Sequence, residues 1–212
     1  MKNNAQRIAE KLLQINAVKL SPQNPFTWAS GIKSPIYCDN RLVLSFPEVR
    51  NLVVKSFVEK AANFEPFDTI AGVATAGIPW GALIADRLKK PFIYIRDKPK
   101  AHGRQNQIEG LHTEGSKILV IEDLISTGGS SLKAVETVRA ANCEVVGVLA
   151  IFSYGFEAAT IIFNESKCPF DTLSNYEILL ECAVKRGYVT ASDVKTLQDW
   201  RVSPSTWGVN EI

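Results

Sequence analysis

Lys117-Ile118-Leu119-Val120-Ile121-Glu122-Asp123-Leu124-Ile125-Ser126-Thr127-Gly128-Gly129-Ser130-Ser131 is the stretch on which the architecture turns. The apolar run up to Ile121 reads as a short strand buried on both faces, because no position in it alternates to a polar residue. Two adjacent acids end it. A small, hydroxyl-rich loop with two glycines follows and opens a helix expected over 130–141. In a parallel α/β sheet ligands collect at the carboxyl ends of the strands, so acids and loop stand where a site is expected.

The same rhythm extends outward. Strands are predicted over 68–73, 92–95 and 144–152, with a weak one at 171–173. Helices are predicted over 78–88, from the end of the 144–152 strand through 161, over 176–186 and over 191–200. Continuous apolar strands separated by helices imply an α/β fold with a mostly parallel central sheet flanked by helices. Ahead of this part, Ile8, Leu12, Leu13 and Ile15 space a helix over 3–16. Aromatic and β-branched residues flank a Ser30-Gly31 turn in a hairpin expected over 25–38, and Pro47 opens a helix running to about 63. The segment 96–115 fits neither period. A polar connection of this length inside a compact domain is usually functional, and it reads as a mobile lid.

Composition narrows the function. The chain has 212 residues, 46% hydrophobic and 22% charged, which suits one domain with a real core. A net charge of +2 argues against a general nucleic-acid binder, so any anion site must be a local concentration of positive charge. Cys38, Cys143, Cys168 and Cys182 are widely spaced and suit neither a zinc site nor a disulfide framework. No apolar run is long enough to span a membrane, and the amphipathic start lacks a signal peptide's apolar core; a cytoplasmic protein is expected.

The loop chemistry suits a phosphate. Gly128 and Gly129 let backbone N–H groups turn inward, Ser126, Thr127, Ser130 and Ser131 offer hydroxyls, and the helix start adds its positive end. Glu122 and Asp123 would repel a phosphate set directly on them. They suit two ribose hydroxyls, or a magnesium-bound water, beside it. Acids and phosphate cradle together describe a ribose phosphate. A glycine turn capping an ordinary helix has a similar composition, but lacks a reason for the acid pair. The triphosphatase pattern G-x-x-x-x-G-K-[ST] is absent, as is G-x-G-x-x-G.

This strand–acid–loop segment resembles the phosphoribosyl pyrophosphate (PRPP) signature of type I phosphoribosyltransferases. Three further blocks resemble one branch of them, the orotate phosphoribosyltransferases, in that branch's order: Phe26-Thr27-Trp28-Ala29-Ser30-Gly31-Ile32-Lys33-Ser34-Pro35-Ile36-Tyr37; the pyrophosphate loop Gly72-Val73-Ala74-Thr75-Ala76-Gly77-Ile78-Pro79; and the lid Arg96-Asp97-Lys98-Pro99-Lys100-Ala101-His102-Gly103 with Ile108-Glu109-Gly110. The resemblance implies the type I phosphoribosyltransferase fold over 1–212, with a small hood from about 1–45 and a lid at about 96–115. It also implies transfer of phosphoribosyl from PRPP to orotate, giving orotidine 5'-monophosphate and pyrophosphate on the route to UMP.

By that resemblance Lys100, Arg96, His102 and Asp123 are catalytic. PRPP would be held by Arg96, Lys100 and His102 together with Glu122, Asp123, Leu124, Ile125, Ser126, Thr127, Gly128, Gly129 and Ser130. Orotate would meet Ser126, Tyr37 and Cys38, although Tyr37 also fits a core aromatic of the hairpin. Magnesium is implied through PRPP, with no dedicated protein site, and a homodimer sharing the lid across subunits. The branch often has Lys where this chain has Ala29, Ala76 and Asp97, and Arg near Tyr154. Two other readings share the signature: a PRPP-binding regulator without chemistry, and an enzyme using a purine base.

Overall fold

The computed structural model describes residues 3–28, 30–98 and 107–208. Leu119 and Ile121 pack into one apolar cluster, Ile118 and Val120 into another, and all four are fully buried. A strand covered on both faces has no reason to alternate, which is why this run is continuous.

In chain order the elements are α1 (Asn4–Gln14), β1 (Val18–Leu20), β2 (Phe26–Thr27), β3 (Lys33–Ser34), β4 (Ile36–Cys38), a 3-10 turn (Asn40–Ser45), α2 (Pro47–Ala61), β5 (Thr69–Val73), α3 (Gly77–Leu88), β6 (Phe92–Ile95), β7 (Ile108–Glu109), β8 (Lys117–Ile125), α4 (Gly129–Ala140), β9 (Glu144–Ser153), α5 (Glu157–Glu165), β10 (Phe170–Asn175), α6 (Tyr176–Lys185) and α7 (Ala191–Val202). The main sheet runs β10-β9-β8-β5-β6-β7, parallel except where β7 returns antiparallel to β6. One face is covered by α1, α2, α3, α6 and α7, through residues such as Leu12, Phe57, Trp80, Leu179 and Trp200. The other is covered by α4 and α5, through Val135, Val138, Ala159 and Phe163.

Several elements start where local chemistry dictates. Asn3 and Gln6 form a reciprocal capping box at α1, with the Gln6 N–H donating to Asn3 Oδ1 at 2.8 Å. Pro47 opens α2, at a position where its missing N–H is no loss. Gly72 and Gly77 let α3 lie directly on the sheet. A Cβ at Gly72 would come within 2.8 Å of the Gly77 carbonyl oxygen, and one at Gly77 would run into the Ile121 carbonyl. These two glycines of the 72–79 block therefore serve helix–sheet packing.

Three expectations change. The central strand does not stop at the acids: β8 continues to Ile125, because β9 is long enough to pair with it as far as Ser153. The 96–115 segment is not structureless at its far end, since Ile108 and Glu109 pair with Ile95 and Tyr94. Finally, the expected 25–38 hairpin divides. Phe26 and Thr27 pair with Ser34 and Lys33, while β4 pairs instead with β1, a strand that three residues, Val18-Lys19-Leu20, were too few to announce.

Candidate active site

Gly128 holds a left-handed conformation (φ 86°) and forms the N-cap of α4, where a Cβ would press within 2.9 Å of the Phe163 ring. Only glycine meets both demands. Gly129 is different: it is the first helical residue, and a Cβ there would project into open space. Among the described residues no side chain caps α4, so its first-turn N–H groups are left for whatever enters the turn. Thr127, Gly129 and Ser130 are exposed and Ser126 half-buried.

One expectation about this turn is corrected. Ser131 is fully buried, its hydroxyl sealed and without a partner, because it falls on the core side of α4's first turn; it cannot offer that hydroxyl to a ligand in the turn. Ile125 is also fully buried, so it can meet a ligand only through its main chain. Leu124 packs its side chain on the main core.

The acids lie near the end of β8. Glu122 is 6% exposed, and its Oε1 accepts the Asp123 N–H at 3.1 Å. Burial, reinforced by Asp123, holds the Glu122 carboxyl well above the usual carboxylate range. Burial raises Asp123 as well, opposed by hydrogen bonding from Glu122 and by the Arg41 charge. Both carboxyls are thus held above their ordinary range, by burial first, and both can accept from hydroxyl groups.

The N-terminal elements close over this edge. Asn40 Nδ2 donates to the Asp123 carbonyl at 2.8 Å. Desolvation, then the charges of Asp123 and Asp39, push the neighbouring Cys38 thiol well above its ordinary value. Tyr37 is 41% exposed, with its ring 5.7 Å from that of Phe26, so it is not a core aromatic. Behind them Trp28 stacks on Tyr154 at 5.4 Å. Tyr37, Cys38, Asp123 and Tyr154 form one electrostatic neighbourhood.

On the other side of the turn, Arg96 and Ser130 line a cleft of about 140 Å³ with Val73, Ala74, Asp97 and Lys133. The Arg96 N–H donates to the Gln107 carbonyl at 2.8 Å, and its guanidinium lies 3.5 Å from Glu109. Lys133 Nζ donates to the Asp97 carbonyl at 2.8 Å and reaches its carboxylate at 3.1 Å. Lys133 and Asn40 were not singled out from sequence. Lys133 could have been found one helical turn beyond Ser130, whereas nothing local marks Asn40. Lys100 and His102, expected catalytic residues of the lid, lie outside the described residues, as does Ala29. A larger hollow of about 540 Å³ between α6 and α7 opens on helix surfaces, away from the turn and the acids, so size does not locate the site.

Comparison with known proteins agrees with this geometry. The family described as the phosphoribosyl transferase domain matches residues 46–183. The orotate phosphoribosyltransferase of Listeria innocua is 54% identical over 203 residues, covering 95% of this chain and 97% of that protein. That of Bacteroides thetaiotaomicron is 53% identical over 208 residues, covering 98% of each. Among solved structures, the orotate phosphoribosyltransferase of Aeropyrum pernix superposes with a TM-score of 0.75 at 28% identity, over 86% of this chain and 99% of its own. The chain belongs to the phosphoribosyltransferase family and, within it, to the orotate phosphoribosyltransferases.

Proposed function

We propose that this protein transfers the phosphoribosyl group of PRPP to orotate, giving orotidine 5'-monophosphate and pyrophosphate, as a step of pyrimidine synthesis in the cytoplasm. The observation that carries the reading is the uncapped α4 start behind Gly128, set at the end of the strand that bears Glu122 and Asp123. A phosphate in the turn leaves the adjoining sugar within reach of those acids.

In the reaction a ring nitrogen of orotate bonds to C1 of the ribose as the bond to the pyrophosphate oxygen breaks. Positive charge grows on the sugar and negative charge on the leaving group. Asp123 and Glu122 accept from the ribose hydroxyls and favour the positive sugar, while Arg96, with Lys100 and His102, meets the pyrophosphate where charge grows. Orotate attacks through the ring nitrogen of its N-deprotonated form, which has already given its proton to water, so no strong base is required in the site. The turn 126–130 fixes the 5'-phosphate, and Ser126, Tyr37 and Cys38 border the base. Closure of the lid keeps water from the same carbon.

Magnesium fits this arrangement as a companion of the substrate. Among the described residues no three His, Cys, Asp or Glu side chains cluster to hold a metal, whereas magnesium is commonly held by one or two carboxylates plus substrate phosphates. Asp123 and Glu122 would serve it, and it would neutralise charge on the pyrophosphate. A homodimer sharing the lid across subunits is part of the same reading. Exposed Leu42 and Phe46 give it an apolar surface near the hood.

The test is to mix the protein with orotate, PRPP and magnesium and follow the orotate ultraviolet band. The band should be lost only when PRPP is present, with one pyrophosphate released per orotate. Consumption of a purine base with orotate untouched would reject the reading.

A further inference from the structure

Lys133 stands one turn along α4 from Ser130, and its side chain reaches across to the chain just past β6. Its ammonium donates to the Asp97 main-chain carbonyl at 2.8 Å and to the Asp97 carboxylate at 3.1 Å. The same carbonyl accepts the Gln107 side-chain amide at 3.3 Å, and that amide also reaches the Arg96 carbonyl at 3.2 Å. The Arg96 N–H completes the set by donating to the Gln107 carbonyl at 2.8 Å. Residues 96, 97 and 107 are thus tied to one another and, through Lys133, to the helix that opens at the 126–130 turn. The ion pair is exposed, with 56% of the Lys133 side chain and 70% of the Asp97 side chain open to solvent. An exposed pair contributes at most about 1 kcal/mol to stability, so folding gives little reason for it. Its place gives a better one: Lys133, Asp97, Arg96 and Ser130 line a single cleft of about 140 Å³.

We propose that Lys133 is a positioning residue for the departure of pyrophosphate: by clamping the Asp97 main chain to α4, it holds Arg96 at the cleft beside Ser130. The assignment rests on the phosphoribosyl-transfer reading above. In that reading the 5'-phosphate belongs to the turn at the start of α4 and the pyrophosphate to Arg96, and one ribose carries both. The substrate fixes their spacing, so the protein must match it across two elements, α4 and the end of β6. A main-chain carbonyl suits this anchor, because it cannot rotate away as an exposed carboxylate can. A misplacement of about 1 Å can cost up to about a hundredfold in rate, so a weak surface contact can matter more to turnover than to stability.

The test is Lys133→Met in the full chain, which keeps most of the stem and removes the charge. Steady-state kinetics should show kcat/KM for PRPP lowered about tenfold, with the orotate KM within about twofold of wild type. The melting temperature should move by no more than about 2–4 °C. Lys133→Arg, which can donate to the same carbonyl, should recover most of the loss. Asp97→Ala keeps that carbonyl and should lower PRPP use less than Lys133→Met does, and the double variant should be no worse than Lys133→Met alone. Wild-type PRPP kinetics in Lys133→Met would overturn the assignment while leaving the functional reading intact. So would a gain in PRPP use by Asp97→Ala, which would make Lys133 a direct ligand of pyrophosphate that Asp97 restrains. An orotate KM raised as much as that of PRPP, or a larger fall in melting temperature, would reduce the clamp to a packing contact and overturn it too. If the wild-type protein failed to consume orotate, both readings would fall together.

Discussion

The Asn40 side-chain amide donates to the Asp123 main-chain carbonyl at 2.8 Å, joining residues 83 apart in sequence. Through this bond the N-terminal elements are fastened to the strand that carries the acids. Asn40 is 1% exposed, so truncating it leaves the Asp123 carbonyl without its donor.

Asn40→Ala should therefore destabilise the protein by about 1–3 kcal/mol, the usual result of orphaning a buried polar group. It should also raise the KM values of both substrates, because the segment carrying Tyr37 and Cys38 loses its anchor. Chemical denaturation and steady-state kinetics measure the two effects. Unchanged stability would show that the bond does not fasten these elements.

The two glycines of the turn should separate cleanly. Gly128→Ala puts a side chain at φ 86° and against Phe163, so a loss on the order of 1–3 kcal/mol is expected, with poor PRPP binding. Gly129→Ala meets no atom of the described residues and should fold normally. If its Cβ enters the space of the 5'-phosphate, it will raise the PRPP KM alone. Melting curves set beside PRPP kinetics for both variants check this pair of outcomes.

Glu122 sets a pH dependence of stability. Its carboxyl pKa is higher in the folded protein than in the unfolded chain, so the folded state binds the proton more tightly. The associated stability is complete below the ordinary carboxylate range and declines as pH rises through the raised value. Glu122→Gln should flatten that decline and melt higher than wild type at alkaline pH, while turning over more slowly. Equal slopes of melting temperature against pH in the two proteins would contradict the direction of the shift.

Much of this architecture was legible from periodicity alone. The continuous apolar strands of 117–121 and 144–152 announced a parallel sheet, because burial on both faces removes alternation. The extension of β8 through Glu122 and Asp123 was not legible. Acids look like a strand end, and only the length of β9 supplies partners that carry the ladder onward. Glycine roles were legible in kind but not in assignment: two adjacent glycines look alike in sequence, yet only Gly128 has a positive φ. The fate of Ser131 depended on the phase of α4, which turns by about 100° for each residue. Asn40 acts through a partner distant in sequence, Asp123, and no local pattern encodes that pair, whereas the helical period could have placed Lys133 one turn beyond Ser130.

The proposed lid carries a prediction of its own. Lys100→Ala should lower turnover by about tenfold or more with no change in melting, because a cation placed where negative charge develops contributes in the transition state. Rapid-quench and steady-state assays measure it, and wild-type turnover in this variant would reject the lid's part in the chemistry.

The account as a whole stands on where the sugar phosphate binds. A crystal structure of the protein with PRPP and magnesium measures this directly. The 5'-phosphate should lie in the turn formed by residues 126–130, on the α4 N-terminus, with the ribose hydroxyls toward Asp123 and Glu122. A phosphate bound elsewhere, with that turn empty and the carboxylates facing no hydroxyl, would contradict it.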